Sequence, residues 1–174
     1  VPLVTVEHQF MNSEPIDAIT EAITTILDHD RLHYYKEEVG GLIMGGYEPN
    51  PIPWATKGIP DDFIFQLLPS NFDHFEQLAE LSLARVPALA SAGVRQLLNG
   101  PESFTPDGNF ILGEAPEVKN YFVGAGFNAF GSAAAGGAGW ALARWIIDVE
   151  PPYNLWPVDI RRFGPPHDDT GWVY

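Results

Sequence analysis

Residues 121–148, YFVGAGFNAFGSAAAGGAGWALARWIID, constrain the fold more than any other stretch of the chain. They read as a short strand, a glycine turn and an apolar helix built on small residues, with Pro151, Pro152 and Pro157 closing the helix off. Taken alone, Gly124-x-Gly126-x-x-Ala129 satisfies the spacing of a dinucleotide-binding turn. Such a turn offers backbone N–H groups and the positive end of a helix dipole to an anion or an electron-rich oxygen. The same glycines serve equally to let a helix lie close on a sheet. That is the simple reason to accept a cost of roughly 1 kcal/mol each at Gly136, Gly137 and Gly139. A complete dinucleotide fold is not expected to begin here, because only about fifty residues follow Gly124 and no second strand with a ribose-binding acid is among them.

The preceding residues alternate between strand and turn signals. Residues 1–12 are β-branched and aromatic, and Pro15 follows as a breaker. Residues 16–27 are ambiguous: Ile16, Ile19, Ile23, Ile26 and Leu27 have helical spacing, while the Thr- and Ile-rich composition favours extended chain. In residues 31–48 two β-rich runs meet at Gly40 and Gly41, which predicts a β-hairpin. Gly45 and Gly46 in its second arm mark a bulge or a close approach to the backbone, a ligand being one candidate for the approaching group. A proline-rich crossover over residues 49–69 leads to Ser70 or Asn71, either of which can cap a helix reaching about Val86. Phe72, Phe75, Ala79, Ser82 and Val86 form its apolar stripe. Strands are expected over 93–100, 109–112 and 121–123, with a turn at Thr105-Pro106-Asp107-Gly108. The tail from Arg161 reads as a loose linker.

A net charge of -14 makes phosphate backbones and anionic lipid surfaces poor partners, so neither nucleic acid nor membrane is expected. Zero cysteines exclude disulfides, thiolate metal sites and cysteine nucleophiles. His29 and His33 have helical metal-ligand spacing, but they flank a strand-like run and lack a third ligand, so no metal is expected. No Gly-x-Ser-x-Gly turn is present, which weakens hydrolase readings. Tyr47, Glu48, Glu102, Ser103, Thr105 and Asp107 remain as side chains able to position an amine or its carboxylate. Each alone is more often a solvated surface residue.

Three stretches together carry a resemblance: GGYEPNPIPW at 45–54, NGPESFTPDGNFILGEAPEVKNYFVGAGFN at 99–128, and VDIRRF at 158–163. The chain resembles the sarcosine and dimethylglycine dehydrogenase group of FAD-dependent, D-amino-acid-oxidase-like oxidoreductases, a group that includes the regulatory subunit of pyruvate dehydrogenase phosphatase. The resemblance runs in order along nearly the whole chain. It implies an α+β fold: an antiparallel or mixed sheet with flanking helices over residues 1–92 (substrate domain), and the C-terminal return segment of an FAD-binding α/β domain over 93–150. Residues 151–174 are then a linker towards a folate-binding-like domain. It also implies that the N-terminal dinucleotide-binding part is not in this chain, and that the chain by itself is an inactive portion.

The implied reaction is oxidative demethylation of a small N-methylated amino acid, with FAD as hydride acceptor and tetrahydrofolate or water receiving the iminium product. Tyr47 and Glu102 fall at catalytic positions of the group, with Glu48 and Asn128 on the substrate side. Gly126, Phe127, Asn128, Gly131, Ser132, Thr105 and Asp107 fall on the cofactor side. Where monomeric sarcosine oxidases carry a carboxylate-binding lysine, this chain reads Gly131-Ser132-Ala133-Ala134, a departure that leaves the substrate's carboxylate without that clamp. The implied setting is the bacterial cytoplasm or the mitochondrial matrix, and the alternative within the group is a non-catalytic regulatory protein.

Overall fold

The β-rich runs of residues 33–46 pair as a hairpin, β3 (His33–Glu38) with β4 (Gly41–Gly46), in the register Glu38↔Gly41. The turn is Val39 and Gly40, with φ of 51° and 78°. Two consecutive left-handed residues make the primed turn whose twist suits a two-residue hairpin. The hairpin therefore forms as expected, displaced by one residue, because Gly41 enters the strand and Val39 takes the first left-handed position. Glu37 holds the turn by accepting the Gly40 N–H at 2.9 Å.

In this computed structural model, residues 1–169 and residue 171 are described. The chain divides into two compact units, one of Glu7–Ile52 and Ile59–Pro101, the other of Val1–Val6, Pro53–Gly58 and Glu102–Tyr174.

The first unit is built on β2 (Ile26–Asp28), the hairpin and the parts of β1 (Val4–Ser13) and β5 (Val94–Phe104) that fall within it, in the sheet order β2-β3-β4-β1-β5. The β2–β3, β3–β4 and β1–β4 pairs are antiparallel. One face is covered by α1 (Phe72–Arg85), where Phe75, Leu78 and Ser82 are buried. Phe75 and Leu78 join Met11, Tyr35, Leu42, Met44, Leu89 and Leu97 in a single apolar core, with Ala79 and Val86 packed at its margin. Phe72, assigned to the buried stripe from its spacing, is 61% exposed, since the buried face is centred on Phe75, Leu78 and Ser82 and Phe72 falls at its edge. Asn71 caps the helix, its side chain accepting the His74 N–H at 3.0 Å.

Residues 16–27 form no helix. The Ile16 N–H is bonded to the Gly40 carbonyl, isolated turns close at Ile19 and Ile23, and the chain then extends into β2. β-Branched Ile and Thr prefer that outcome once Ile16 and Ile19 find the core. The approach at Gly45 comes from within the chain: Tyr34 sits opposite it, and a Cβ at Gly45 would fall 2.5 Å from Tyr34 Cζ. The ring fills the space that glycine leaves.

The second unit centres on β6 (Ile111–Glu114) antiparallel to β7 (Phe122–Ala125), with α2 (Gly131–Asp148) following. Ile111, Ala115, Val123 and Ile160 form one core cluster; Ala141, Trp145 and Leu155 form another. Gly113, at φ 120°, lies against Trp145, whose Cη2 would stand 2.8 Å from an added Cβ. Gly136, Gly137 and Gly139 behave differently from expectation. A Cβ at any of them meets nothing within 4 Å, so close packing against the described residues does not account for them.

Nor is the beginning of the tail loose. Leu155 and Ile160 are buried, short 3-10 turns form at Trp156–Val158 and Ile160–Arg162, and Arg161 Nη2 donates to the buried Asp159 Oδ2 at 2.6 Å. The end of that tail, at residues 170 and 172–174, lies outside the described residues. No helix among the described residues is long and apolar enough to cross a membrane.

Candidate functional site

Successive side chains of β1 point to opposite faces of the sheet, and this alternation separates two neighbours with different tasks. Gln9 points to the α1 side and is fully buried; its Oε1 accepts the Asn71 N–H at 2.8 Å and its Nε2 donates to the Asn71 carbonyl at 3.1 Å. It thereby fixes the start of α1. His8 points the other way. Its Nδ1 lies 3.0 Å from Glu48 Oε2, and its ring centroid is 5.6 Å from that of Tyr47.

Tyr47 and Glu48 follow directly on β4, and the Tyr47 N–H donates to the Leu32 carbonyl at 2.7 Å. The second Glu48 oxygen accepts the Gln9 backbone N–H at 3.1 Å, and the carboxylate side chain is only 4% exposed. Burial raises the Tyr34 phenol above the ordinary tyrosine range, and Tyr47 and Glu48 add to that rise. Tyr47 also borders a cavity of about 30 Å³ shared with Leu32, His33 and Tyr34, room for a water molecule rather than a substrate.

Two of the sequence-expected residues, Tyr47 and Glu48, are thus brought together around a third, His8, that spacing did not single out. The readable signal was a histidine set in the alternating strand VTVEHQF, half a period away from the buried Gln9. Glu48, expected on the substrate side, has each oxygen in one bond within the chain, Oε2 with His8 and Oε1 with Gln9. Glu102 lies in the second unit, half-buried on β5.

In the second unit the glycine turn is built by side chains expected to touch a cofactor. Asn128 Oδ1 accepts the Thr105 N–H at 2.9 Å, while its Nδ2 donates to the carbonyls of Gly126 at 2.9 Å and Gly108 at 3.1 Å. The Thr105 hydroxyl donates to the Asn109 carbonyl at 2.8 Å. Asp107 accepts Arg162 Nε at 2.6 Å, and that guanidinium holds its carboxyl below the usual aspartate range. Phe127 stacks on Phe110 with centroids 5.2 Å apart.

These bonds hold Gly126, Asn128 and Ala129 at φ of 63°, 52° and 67°. Left-handed backbone at two non-glycine residues is strain that persists only where surrounding contacts determine it. The turn delivers the chain to α2, whose cap residue Phe130 makes no side-chain capping bond and whose Gly131 and Ser132 are half-buried and exposed. Uncapped first-turn N–H groups on a rigid turn suit an electron-rich acceptor atom. Thr105 and Asn128 brace that turn, Asp107 holds Arg162 and the Asn109 N–H beside it, and Gly131 and Ser132 open the first turn of α2. No group of three or more metal-ligating side chains occurs among the described residues.

Comparison with known proteins bears on both units. The family model described as FAD dependent oxidoreductase (DAO) matches residues 1–145. The chain is 40% identical over 176 residues to "Sarcosine dehydrogenase, mitochondrial" of Mus musculus, an alignment covering 99% of the chain and 19% of that protein. It is 41% identical over 165 residues to "Pyruvate dehydrogenase phosphatase regulatory subunit, mitochondrial" of Mus musculus, covering 94% and 19%. To "4-methylaminobutanoate oxidase (formaldehyde-forming)" of Paenarthrobacter nicotinovorans it is 40% identical over 163 residues, covering 94% and 20%. The chain spans about a fifth of the length of these relatives. Among solved structures, L-proline dehydrogenase from P. horikoshii superposes with a TM-score of 0.73 at 22% identity, over 94% of this chain and 41% of that one, a likeness of fold.

Proposed function

The chain belongs to the FAD dependent oxidoreductase family, and from that premise we propose that the protein it forms part of oxidatively demethylates a small N-methylated amino acid of the sarcosine or dimethylglycine type. The observation that carries this reading is the His8–Glu48 pair beside Tyr47, a buried acid–imidazole arrangement next to a phenol. An N-methylated amino acid enters as an ammonium ion, and its nitrogen needs a lone pair before the methyl carbon can lose hydride. His8 takes that proton, and Tyr47 orients the amine with its phenol. FAD supplies the two-electron acceptor for the hydride. The nitrogen lone pair then forms the C=N bond of an iminium, whose one-carbon unit passes to water or to tetrahydrofolate bound by a domain outside this chain. Gly131 and Ser132 would hold the flavin through their backbone N–H groups, at the end of the turn that Thr105 and Asn128 brace.

Relatives with mitochondrial names and a bacterial relative support a matrix or bacterial cytoplasmic setting. On this reading the chain alone is inactive, because FAD binding would also need a dinucleotide-binding segment supplied by the rest of the protein. Micromolar binding of FAD by the isolated chain, followed by flavin fluorescence, contradicts that last point.

The full-length protein, mixed anaerobically with sarcosine, dimethylglycine and 4-methylaminobutanoate in turn, bleaches its flavin absorbance with at least one of them. Absence of bleaching with every N-methyl amine tried overturns the proposal. A second reading rests on 41% identity to a phosphatase regulatory subunit, as high as the likeness to the enzymes. On it, the full-length protein binds a phosphatase catalytic subunit and oxidises no amine.

A further inference from the structure

We propose that Glu48 is a positioning residue that fixes the His8 imidazole with its proton on Nδ1, so that the ring lone pair resides on Nε2. The catalytic consequence rests on the demethylase reading; the tautomer assignment does not. Glu48 lies 40 residues from His8 in the chain and 3.0 Å from its Nδ1. The exposures of the two side chains are 11% for His8 and 4% for Glu48, so bulk water competes little for either.

The geometry settles the direction of the proton. Glu48 Oε1 accepts the Gln9 backbone N–H at 3.1 Å, and that donor has no alternative role because a backbone N–H cannot accept. The carboxylate is therefore held with Oε1 on Gln9 and Oε2 on His8. An ionised carboxylate is acceptor only, so Nδ1 must be the donor. In a neutral imidazole one nitrogen donates and the other carries the lone pair, and the hydrogen bond at one fixes the state of the other. The β1 alternation completes the device, since Gln9 is anchored from the opposite face by its two bonds to Asn71, which keeps its N–H aimed at Glu48.

Substitution E48Q is isosteric and tests the assignment at the level of a single proton. The Gln9 N–H still requires an acceptor, so the amide oxygen stays on Gln9 and the amide NH2 faces His8 Nδ1. A donor there makes Nδ1 the acceptor and moves the imidazole proton to Nε2. The experiment is 15N–1H correlation of the His8 ring in the full-length protein at about pH 9, where an ordinary imidazole is neutral. The wild-type spectrum is expected to show protonated Nδ1, and E48Q the inverted pattern. A wild-type ring protonated at Nε2, or a pattern that E48Q leaves unchanged, overturns the proposal.

The same variant in the FAD-loaded full-length protein is expected to lose kcat by roughly tenfold or more with KM little changed, as when a misplaced tautomer disables a base. Inversion of the tautomer in a protein that no amine bleaches supports the positioning and overturns the demethylase reading. Amine oxidation with an unmoved tautomer does the reverse.

Discussion

Arg162 closes on Asp107 with a two-pronged grip, Nε donating to Oδ2 at 2.6 Å and Nη2 to Oδ1 at 3.0 Å, across 55 residues of chain. The same guanidinium donates to the carbonyl of Asn109 at 2.6 Å, so one side chain ties the tail to the turn that Thr105 and Asn128 brace. Bidentate arginine–carboxylate pairs of this kind fix orientation as well as lowering energy.

The pH consequence follows from the direction of the Asp107 shift. Its folded pKa lies below the ordinary aspartate value, chiefly through the Arg162 hydrogen bonds. The stabilisation is therefore complete above the unfolded pKa and is lost as pH falls through the folded one. Urea midpoints of the wild type should fall between pH 5 and pH 3, and R162Q should remove part of that fall. Equal slopes in the two proteins would argue against the grip as a stabilising contact.

His33 produces a second, separate acid window. It is 3% exposed, neither ring nitrogen makes a well-aligned hydrogen bond to a described residue, and burial depresses its pKa below 6.5 despite the opposing pull of Asp28 and the Arg31 backbone. Below pH 6.5 the unfolded chain binds a proton that the folded ring resists, so stability is full above that pH and declines as pH falls beneath it. H33L removes the titration and two buried polar atoms together. Its thermal midpoint should depend less on pH between 7 and 5 than that of the wild type, as followed by circular dichroism.

Val39 occupies a left-handed position at φ 51°, where a β-branched side chain is disfavoured by about 1–2 kcal/mol. V39N converts the turn to Asn-Gly, the preferred sequence for this hairpin type. Chemical denaturation should register a gain of about 1 kcal/mol. A neutral or negative result would mean that the side chain contributes to stability elsewhere.

Two glycine substitutions should move stability in opposite directions. G113A places a methyl group 2.8 Å from Trp145 Cη2 at φ 120°, and a loss of about 2–3 kcal/mol or more is expected from the clash and the backbone together. G136A meets nothing within 4 Å in the middle of α2 and should gain up to about 1 kcal/mol through helix propensity. Parallel melts of the two variants check both signs.

Features that depend on neighbouring residues were legible before any coordinates. The hairpin over residues 33–46 follows from glycines between β-rich runs, and α1 from Asn71 ahead of an amphipathic run. The strand-turn-helix of β7 and α2 follows from its glycine spacing. Ambiguity at 16–27 was resolved only by the Ile16 bond to Gly40, a contact that helical periodicity cannot register. Phe72 carried an acceptable period and the wrong environment, because spacing locates a stripe without saying which of its two margins the sheet covers.

By itself, then, the sequence determined the elements, the family and the residues near which chemistry is sought: Tyr47 and Glu48 after β4, and Gly126 to Ser132 before α2. Tertiary structure alone decided their tasks. Whether Glu48 is available to a substrate depends on His8 and Gln9, about forty positions away. Whether Asn128 is available to a cofactor depends on Thr105, 23 positions away. A carboxylate or amide has only a few hydrogen-bonding sites, and folding commits them to whichever partners the sheet register and the turn bring within about 3 Å.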